Sequence, residues 1–293
     1  MRKLLACAAA VALSASGMVV GAANAGADSR HSSSSVSVVG NGTHVTVSRS
    51  SVDEGVVRFR VSSTFTGGSS AITLFQPKAH VNVARVLADV QEEFSSDPAT
   101  AAKGTRDLVR DARFFGLADV APGNPAVVTE RLKRGTYYLM DLGAPPTGTP
   151  ALTRLRVRGH GDHDDDHQAL PRAKATVDLT SADRFVVHGR LPAHGTVRVR
   201  NVSDTIHFMA IAPVKKGTTD AQIQAFFDSG SQQPPSFFVD GPSVGMDVQS
   251  PGRQAFLTYR LPAGTYVLFC FVADDETGMP HALMGMHKVV TLK

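Results

Sequence analysis

Leu261-Pro-Ala-Gly-Thr-Tyr-Val-Leu-Phe-Cys270 matches an earlier stretch, Leu132-Lys-Arg-Gly-Thr-Tyr-Tyr-Leu-Met-Asp141. Working outward, Gly55-Val-Val-Arg-Phe-Arg-Val61 resembles Gly195-Thr-Val-Arg-Val-Arg-Asn201, and Ile72-Thr-Leu-Phe-Gln-Pro77 corresponds to Phe208-Met-Ala-Ile-Ala-Pro213. Self-similarity on this scale signals two copies of one unit. The runs Val45–Val47, Val56–Val61, Ile72–Phe75, Ala126–Val128 and Tyr137–Met140 are rich in β-branched and aromatic residues and are separated by turn residues, so they predict strands. Val81 to Phe94 instead spaces its apolar residues at three and four, predicting an amphipathic helix. Further helical pieces are expected over Thr105 to Phe115 and Asp220 to Phe227. Many short strands, few helices and about one hundred residues per copy argue for an all-β chain of two tandem Greek-key β-sandwich domains with short helical insertions.

The chain begins with Arg2-Lys3, an apolar Ala/Leu/Val stretch and the small-residue site Ala23-Asn-Ala25. That order predicts a signal peptide over residues 1–25, cleaved after Ala25, and a secreted, extracellular protein. With residues 1–25 removed, the formal charge falls from +4 to +2, which is no nucleic-acid footprint. No later apolar run reaches membrane-spanning length, so no retained transmembrane anchor is expected. A lipid-anchor reading of Leu4-Leu-Ala-Cys7 is disfavoured, because almost no apolar region precedes Cys7. Cleavage leaves Cys270 as the only cysteine, unable to form an internal disulfide. Such a thiol is buried and inert, paired with another chain, or bound to something.

Residues 26–36 form a Ser-rich leader, expected to be disordered, and residues 37–158 the first domain. Residues 159–173 form a linker that opens with Gly159 to His167, three histidines among four aspartates with no apolar residue between them. They read as a hydrophilic hinge, with loose divalent-metal binding as the second reading. Residues 174–293 form the second domain.

That second domain concentrates the chemistry. His207 opens an apolar strand, Cys270 ends another, and His281 and Met286 lie beyond a loop in Gly278-Met-Pro-His-Ala-Leu-Met-Gly-Met286. Two imidazoles, one thiolate and a thioether form the donor set of a blue-copper site, since soft sulfur donors select copper. Each residue alone has a bland reading, a core cysteine or a satisfied histidine. Their joint order on successive strands favours metal. Met284, Met279 and His287 are nearby competitors.

This order of residues resembles the cupredoxins, in which a late strand ends in Cys and a loop leads to His and then Gly-Met before the closing strand. The resemblance covers roughly residues 175–293, including the Pro251-Gly252 turn and Leu261-Pro-Ala-Gly-Thr-Tyr266. It implies His207, Cys270 and His281 as equatorial ligands and Met286 as axial ligand of one type 1 copper per chain. The long loop looks most like that of the copper nitrite reductases. Two features depart from the small cupredoxins: ten residues separate Cys270 from His281, and Phe208 stands where Asn commonly follows the first His. The first copy has Asp141 in place of Cys270 and about Ala71 in place of His207, and Gly143-Ala-Pro-Pro-Thr-Gly148 holds no His or Met. It is expected to lack copper ligands and to serve as a structural or partner-binding half.

The resemblance implies a secreted one-electron carrier whose partner is a redox protein or a copper donor or acceptor. Related oxidases and reductases place a His next to the ligand Cys, whereas Phe269 and Phe271 flank Cys270, so the chain is expected not to be an enzyme. Alternatives are copper storage or delivery with the Asp/His segment as a collecting arm, and a metal-free adhesion protein.

Overall fold

The computed structural model describes residues 34–144, 146, 148–159, 169–231, 233 and 235–293. Residues 1–33, which include the expected signal peptide, Cys7 and most of the Ser-rich stretch, and the segment with His160, His163 and His167 lie outside the described residues.

The first half builds β1 (Ser34–Gly40), β2 (Val45–Val47), β3 (Ser51–Asp53), β4 (Gly55–Ser63) and β5 (Ser70–Pro77). The helices α1 (Val83–Glu93) and α2 (Pro98–Asp111) follow, then β6 (Ala112–Phe114), β7 (Ala118–Val120), β8 (Ala126–Leu132), β9 (Gly135–Asp141) and β10 (Thr153–Arg158). The second half builds β11 (Ala175–Thr180), β12 (Arg184–Gly189), β13 (His194–Asn201), β14 (His207–Pro213) and α3 (Asp220–Asp228). It closes with β15 (Val244–Gln249), β16 (Gln254–Arg260), β17 (Gly264–Phe269) and β18 (His287–Leu292). The chain is all-β with short helical insertions, as its sequence predicts.

The repeat is literal in the pairings. In the first half β1 runs parallel to β4, β4 pairs β8, and β5 pairs β7 and β9. In the second, β11 runs parallel to β13, β13 pairs β16, and β14 pairs β15 and β17. Alternating burial along β4, with Val57, Phe59 and Val61 fully buried between exposed Arg58 and Arg60, shows the period of two that makes these segments strands.

Both sheets also run through both halves. β16 pairs β8 in an eight-stranded sheet ordered β12-β11-β13-β16-β8-β4-β1-β2. β15 pairs β7 in the second sheet, ordered β18-β17-β14-β15-β7-β5-β9-β10-β3. Across this junction Arg253 pairs Glu130 at 3.0 Å, and its guanidinium lies over the Phe115 ring.

The sequence places the second helix seven residues too late. Asp97 caps α2 by accepting from Thr100 N–H at 2.9 Å, Pro98 occupies its first turn, and residues 112–114 have left the helix to pair with β5. An Asp-Pro start supplies a cap plus a residue whose φ is already helical. Apolar spacing alone hides that signal.

Candidate metal centre

His207, Cys270 and His281 converge although they come from three separated segments. β14 and β17 are neighbours in one sheet, with Ala210 opposite Phe269, so His207 and Cys270 emerge at the same end of adjacent strands. His207 Nδ1 and His281 Nδ1 are 3.2 Å apart, and Cys270 Sγ lies 3.7 Å from each. The point equidistant from the three atoms lies about 2.1 Å from each, within the span of metal–nitrogen and metal–thiolate bonds. All three residues are fully buried. Desolvation, with the neighbouring His281 as a lesser cause, pushes His207 down to about 3, and desolvation pushes His281 down to about 4. Both imidazoles are therefore neutral at pH 7, so neither carries a positive charge that would repel a metal ion. Burial pushes the Cys270 thiol up to about 12, so the sulfur is protonated at pH 7 and must lose that proton to bind a metal.

The donor set fits copper on the structure's own terms. Three buried donors surround a metal-sized gap, and the outward nitrogens His207 Nε2 and His281 Nε2 have no hydrogen-bond partner. Met286 is fully buried, and its N–H donates to His281 O at 2.8 Å while its carbonyl accepts from Cys270 N–H at 3.3 Å. Its competitors differ. Met279 is exposed, Met284 Sδ accepts the Thr277 hydroxyl at 3.9 Å, and His287 Nε2 is bonded to Gln224 Oε1 at 2.9 Å.

The ten-residue gap folds into a small hairpin of its own. Ala273 bridges Pro280, and His281 N–H donates to Val272 O at 3.0 Å. Asp274 Oδ1 accepts from Thr277 N–H at 2.7 Å and from its hydroxyl at 2.6 Å, closing the tip. The hairpin is seated on the helices of the other half. Thr105 Oγ1 donates to Ala273 O at 2.8 Å, Ala273 N–H donates to Glu93 Oε1 at 3.2 Å, and Arg106 donates to Asp275 O. Gly278, at φ +70°, lies so close to Pro98 that a Cβ there would collide with the Pro98 carbonyl. Gly278→Ala is expected to destabilise the fold by about 1–3 kcal/mol through this overlap, and to lower metal affinity because the hairpin must lift. Thermal melts and a competition titration check it; unchanged values in both would show that the loop is not held there.

Support for the first histidine, left open by Phe208, comes from two sources. Phe208 N–H points at Cys270 Sγ at 3.5 Å. Asn201 donates to Thr205 O and Gln249 O, both at 2.8 Å, and its Oδ1 accepts from Ser203 N–H at 3.0 Å, tying the turn before His207 to β15. The sequence reading missed Asn201, Thr105, Glu93 and Asp183. Only Asn201 leaves a local trace, as the first residue of an Asn-Val-Ser turn.

In the first half, Asp141 stands in the Cys270 position. Its carboxylate accepts Gly42 N–H at 2.8 Å and Gly143 N–H at 3.0 Å, closing two loops over the place where donors stand in the other copy.

The chain is thus a two-sheet β structure with a buried His–Cys–His cluster at one end of its second half. No protein-family model matches the chain, and no curated protein matches it. Among solved structures it is similar to a dithionite-reduced auracyanin from the photosynthetic bacterium Roseiflexus castenholzii, at 17% identity and TM-score 0.26, over 40% of this chain and 94% of that one. It is also similar to a copper nitrite reductase from Nitrosomonas europaea, at 12% identity and TM-score 0.22, over 89% of this chain and 94% of that one. A multicopper oxidase from Campylobacter jejuni gives 9% identity and TM-score 0.25, over 88% of this chain and 63% of that one. Likenesses this loose transfer no residue role. One expectation is corrected, that the chain is not an enzyme: the solved structures similar to most of its length include a copper nitrite reductase and a multicopper oxidase. The neighbours of Cys270 do not sustain that exclusion.

Among the described residues, no helix is long and apolar enough to cross a membrane.

Proposed function

We propose that the chain binds one copper ion through His207, Cys270 and His281, with Met286 as a weak fourth donor, and that this centre takes up and releases single electrons. The observation that carries the reading is the triangle of 3.2, 3.7 and 3.7 Å made by two imidazole nitrogens and one sulfur in a fully buried cluster. Copper held there supplies a one-electron couple, favoured by the soft thiolate.

The protein's contribution is position and exclusion. Two strands of one sheet hold His207 and Cys270, and the seated hairpin holds His281, so the donors need little movement to serve either oxidation state. The closed surroundings keep water off the sulfur, and neutral imidazoles need shed no proton on binding. The N-terminal apolar stretch supports action outside the cytoplasm. A redox protein or a copper donor or acceptor is the expected partner.

The test is a titration of the purified chain with Cu(II) under non-reducing conditions. One equivalent is expected to give an intense blue or green thiolate-to-copper absorption and to survive desalting. A protein that stays colourless and retains no copper defeats the reading.

A further inference from the structure

A metal bound at both Nδ1 atoms forces the proton of each imidazole onto Nε2. His207 and His281 are fully buried, and neither Nε2 has a hydrogen-bond partner. A buried N–H left unpaired costs about 1–3 kcal/mol. Metal-bound histidines almost always donate this second N–H to an oxygen. One oxygen faces both: Asp183 Oδ1 lies 3.9 Å from His207 Nε2 and 3.7 Å from His281 Nε2. Asp274 stands near the same group, but its Oδ1 is taken by Thr277 and Glu276.

The backbone around Asp183 is built to put it there. It lies in the turn joining β11 to β12, at φ +53°, and His80 is the only other described non-glycine residue with positive φ. That conformation costs L-residues roughly 1–2 kcal/mol, least for Asp and Asn. Asp183 N–H donates to Thr180 O at 3.0 Å. The next residue, Arg184, reaches over the ligand loop and donates to Met284 O at 3.2 Å. Gly285 makes room for it, since a Cβ there would lie 2.9 Å from the guanidinium nitrogens. The hairpin turn is thus fastened onto the segment between His281 and Met286.

We propose that Asp183 is the positioning residue shared by both histidine ligands. Its carboxylate receives the two Nε2–H groups, through a bridging water or by closing the remaining gap, and fixes both ring planes. Its negative charge favours the cupric over the cuprous state. This inference rests on the copper reading above. It adds a device drawn from the start of the second half, far in sequence from the ligand loop.

The test compares full-length wild type with Asp183→Asn and Asp183→Gly, both of which tolerate positive φ and so keep the turn. Cu(II) and Cu(I) affinities are measured by competition, with the reduction potential and visible spectrum. Loss of such an outer partner typically weakens binding about 10–100-fold. The expected result is a loss in that range for Cu(II), a smaller loss for Cu(I), and a raised potential in both variants. Each tenfold difference between the two losses is worth about 59 mV. Equal losses for both ions with an unmoved potential, or wild-type values throughout, would overturn the proposal and leave the turn a purely structural element. A wild type that binds no copper would defeat the functional reading itself, which separates the two failures.

Discussion

Cys270→Ser is expected to give a folded protein that no longer forms a coloured copper complex. Cys270 Sγ lies 3.7 Å from both imidazole nitrogens, and charge transfer from a thiolate needs that sulfur. A change one shell out costs about 10–100-fold in metal affinity, so loss of a ligand should exceed about 100-fold. The cost to the metal-free fold is small by comparison. The hydroxyl would stand beside Phe208 N–H and two imidazole nitrogens, so it need not go unpaired, and the change removes little volume. Visible spectra, a competition titration and a thermal melt read these effects separately. A variant that keeps the absorption would show that its source lies elsewhere, and one that fails to fold would mark Cys270 as a core residue first.

Asp119→Asn is expected to stabilise the protein at pH 8 far more than at pH 5. Asp119 lies on β7 at the junction of the halves, opposite Gly245 and Ala71, and its Oδ1 is buried without a hydrogen-bond partner. Desolvation, reinforced by the charge of Asp247, pushes its carboxyl up to about 7. Desolvation likewise pushes Asp247 up to about 6. A carboxyl whose pKa is higher in the fold than in the open chain stabilises the fold while protonated. Its contribution is complete below about pH 4 and is lost as pH rises through its folded value. Between pH 5 and pH 8 the variant should therefore gain roughly 2 kcal/mol on the wild type. For a chain of this size that amounts to about 4–8 °C in Tm. His207 and His281 work in the opposite direction, since their depressed values make acid destabilising below about pH 6.5. Comparing the variant with wild type at each pH cancels that common term. A gain that does not change with pH would show that Asp119 is ionised throughout.

Much of this architecture can be read from residues that report on their own neighbourhood. Alternation along Val56–Val61 and the recurring Gly-Thr-Tyr run mark strands and the repeat, because side-chain period and turn chemistry are local properties. His207, Cys270 and His281 were legible as a set for a related reason: two of them open or follow strands that pair, and strand order follows from the repeat. What the sequence hides is contact between distant segments. Nothing in the pattern of β7 or β8 announces that β15 and β16 will pair with them and merge the sheets. Nothing in Thr105 or Glu93 marks them as the seat of a hairpin in the other copy, where an ordinary helix residue bonds a loop backbone. Asp183 reads as a turn aspartate by every local criterion, and its meaning comes only from two histidines brought to it by the fold. The late placement of α2 was avoidable, since Asp97-Pro98 carries a start signal that apolar spacing does not weigh.

Merging the sheets changes what the molecule shows to other chains. Two separate two-sheet sandwiches would present eight outermost strands, whereas among the described residues the two sheet paths end in four, β12, β2, β18 and β3, with the three-residue β6 a branch on β5. Unpaired strand borders invite pairing with another chain, and very short ones are a common protection. β2 and β3 have three residues each. β12 and β18, six residues each, approach one another across the sandwich, with the Asp183–Arg184 turn laid over the segment between His281 and Met286. Among the described residues, β12 and β18 are therefore the two outermost strands longer than three residues, and pairing with a second chain, if it occurs, is expected to begin on them.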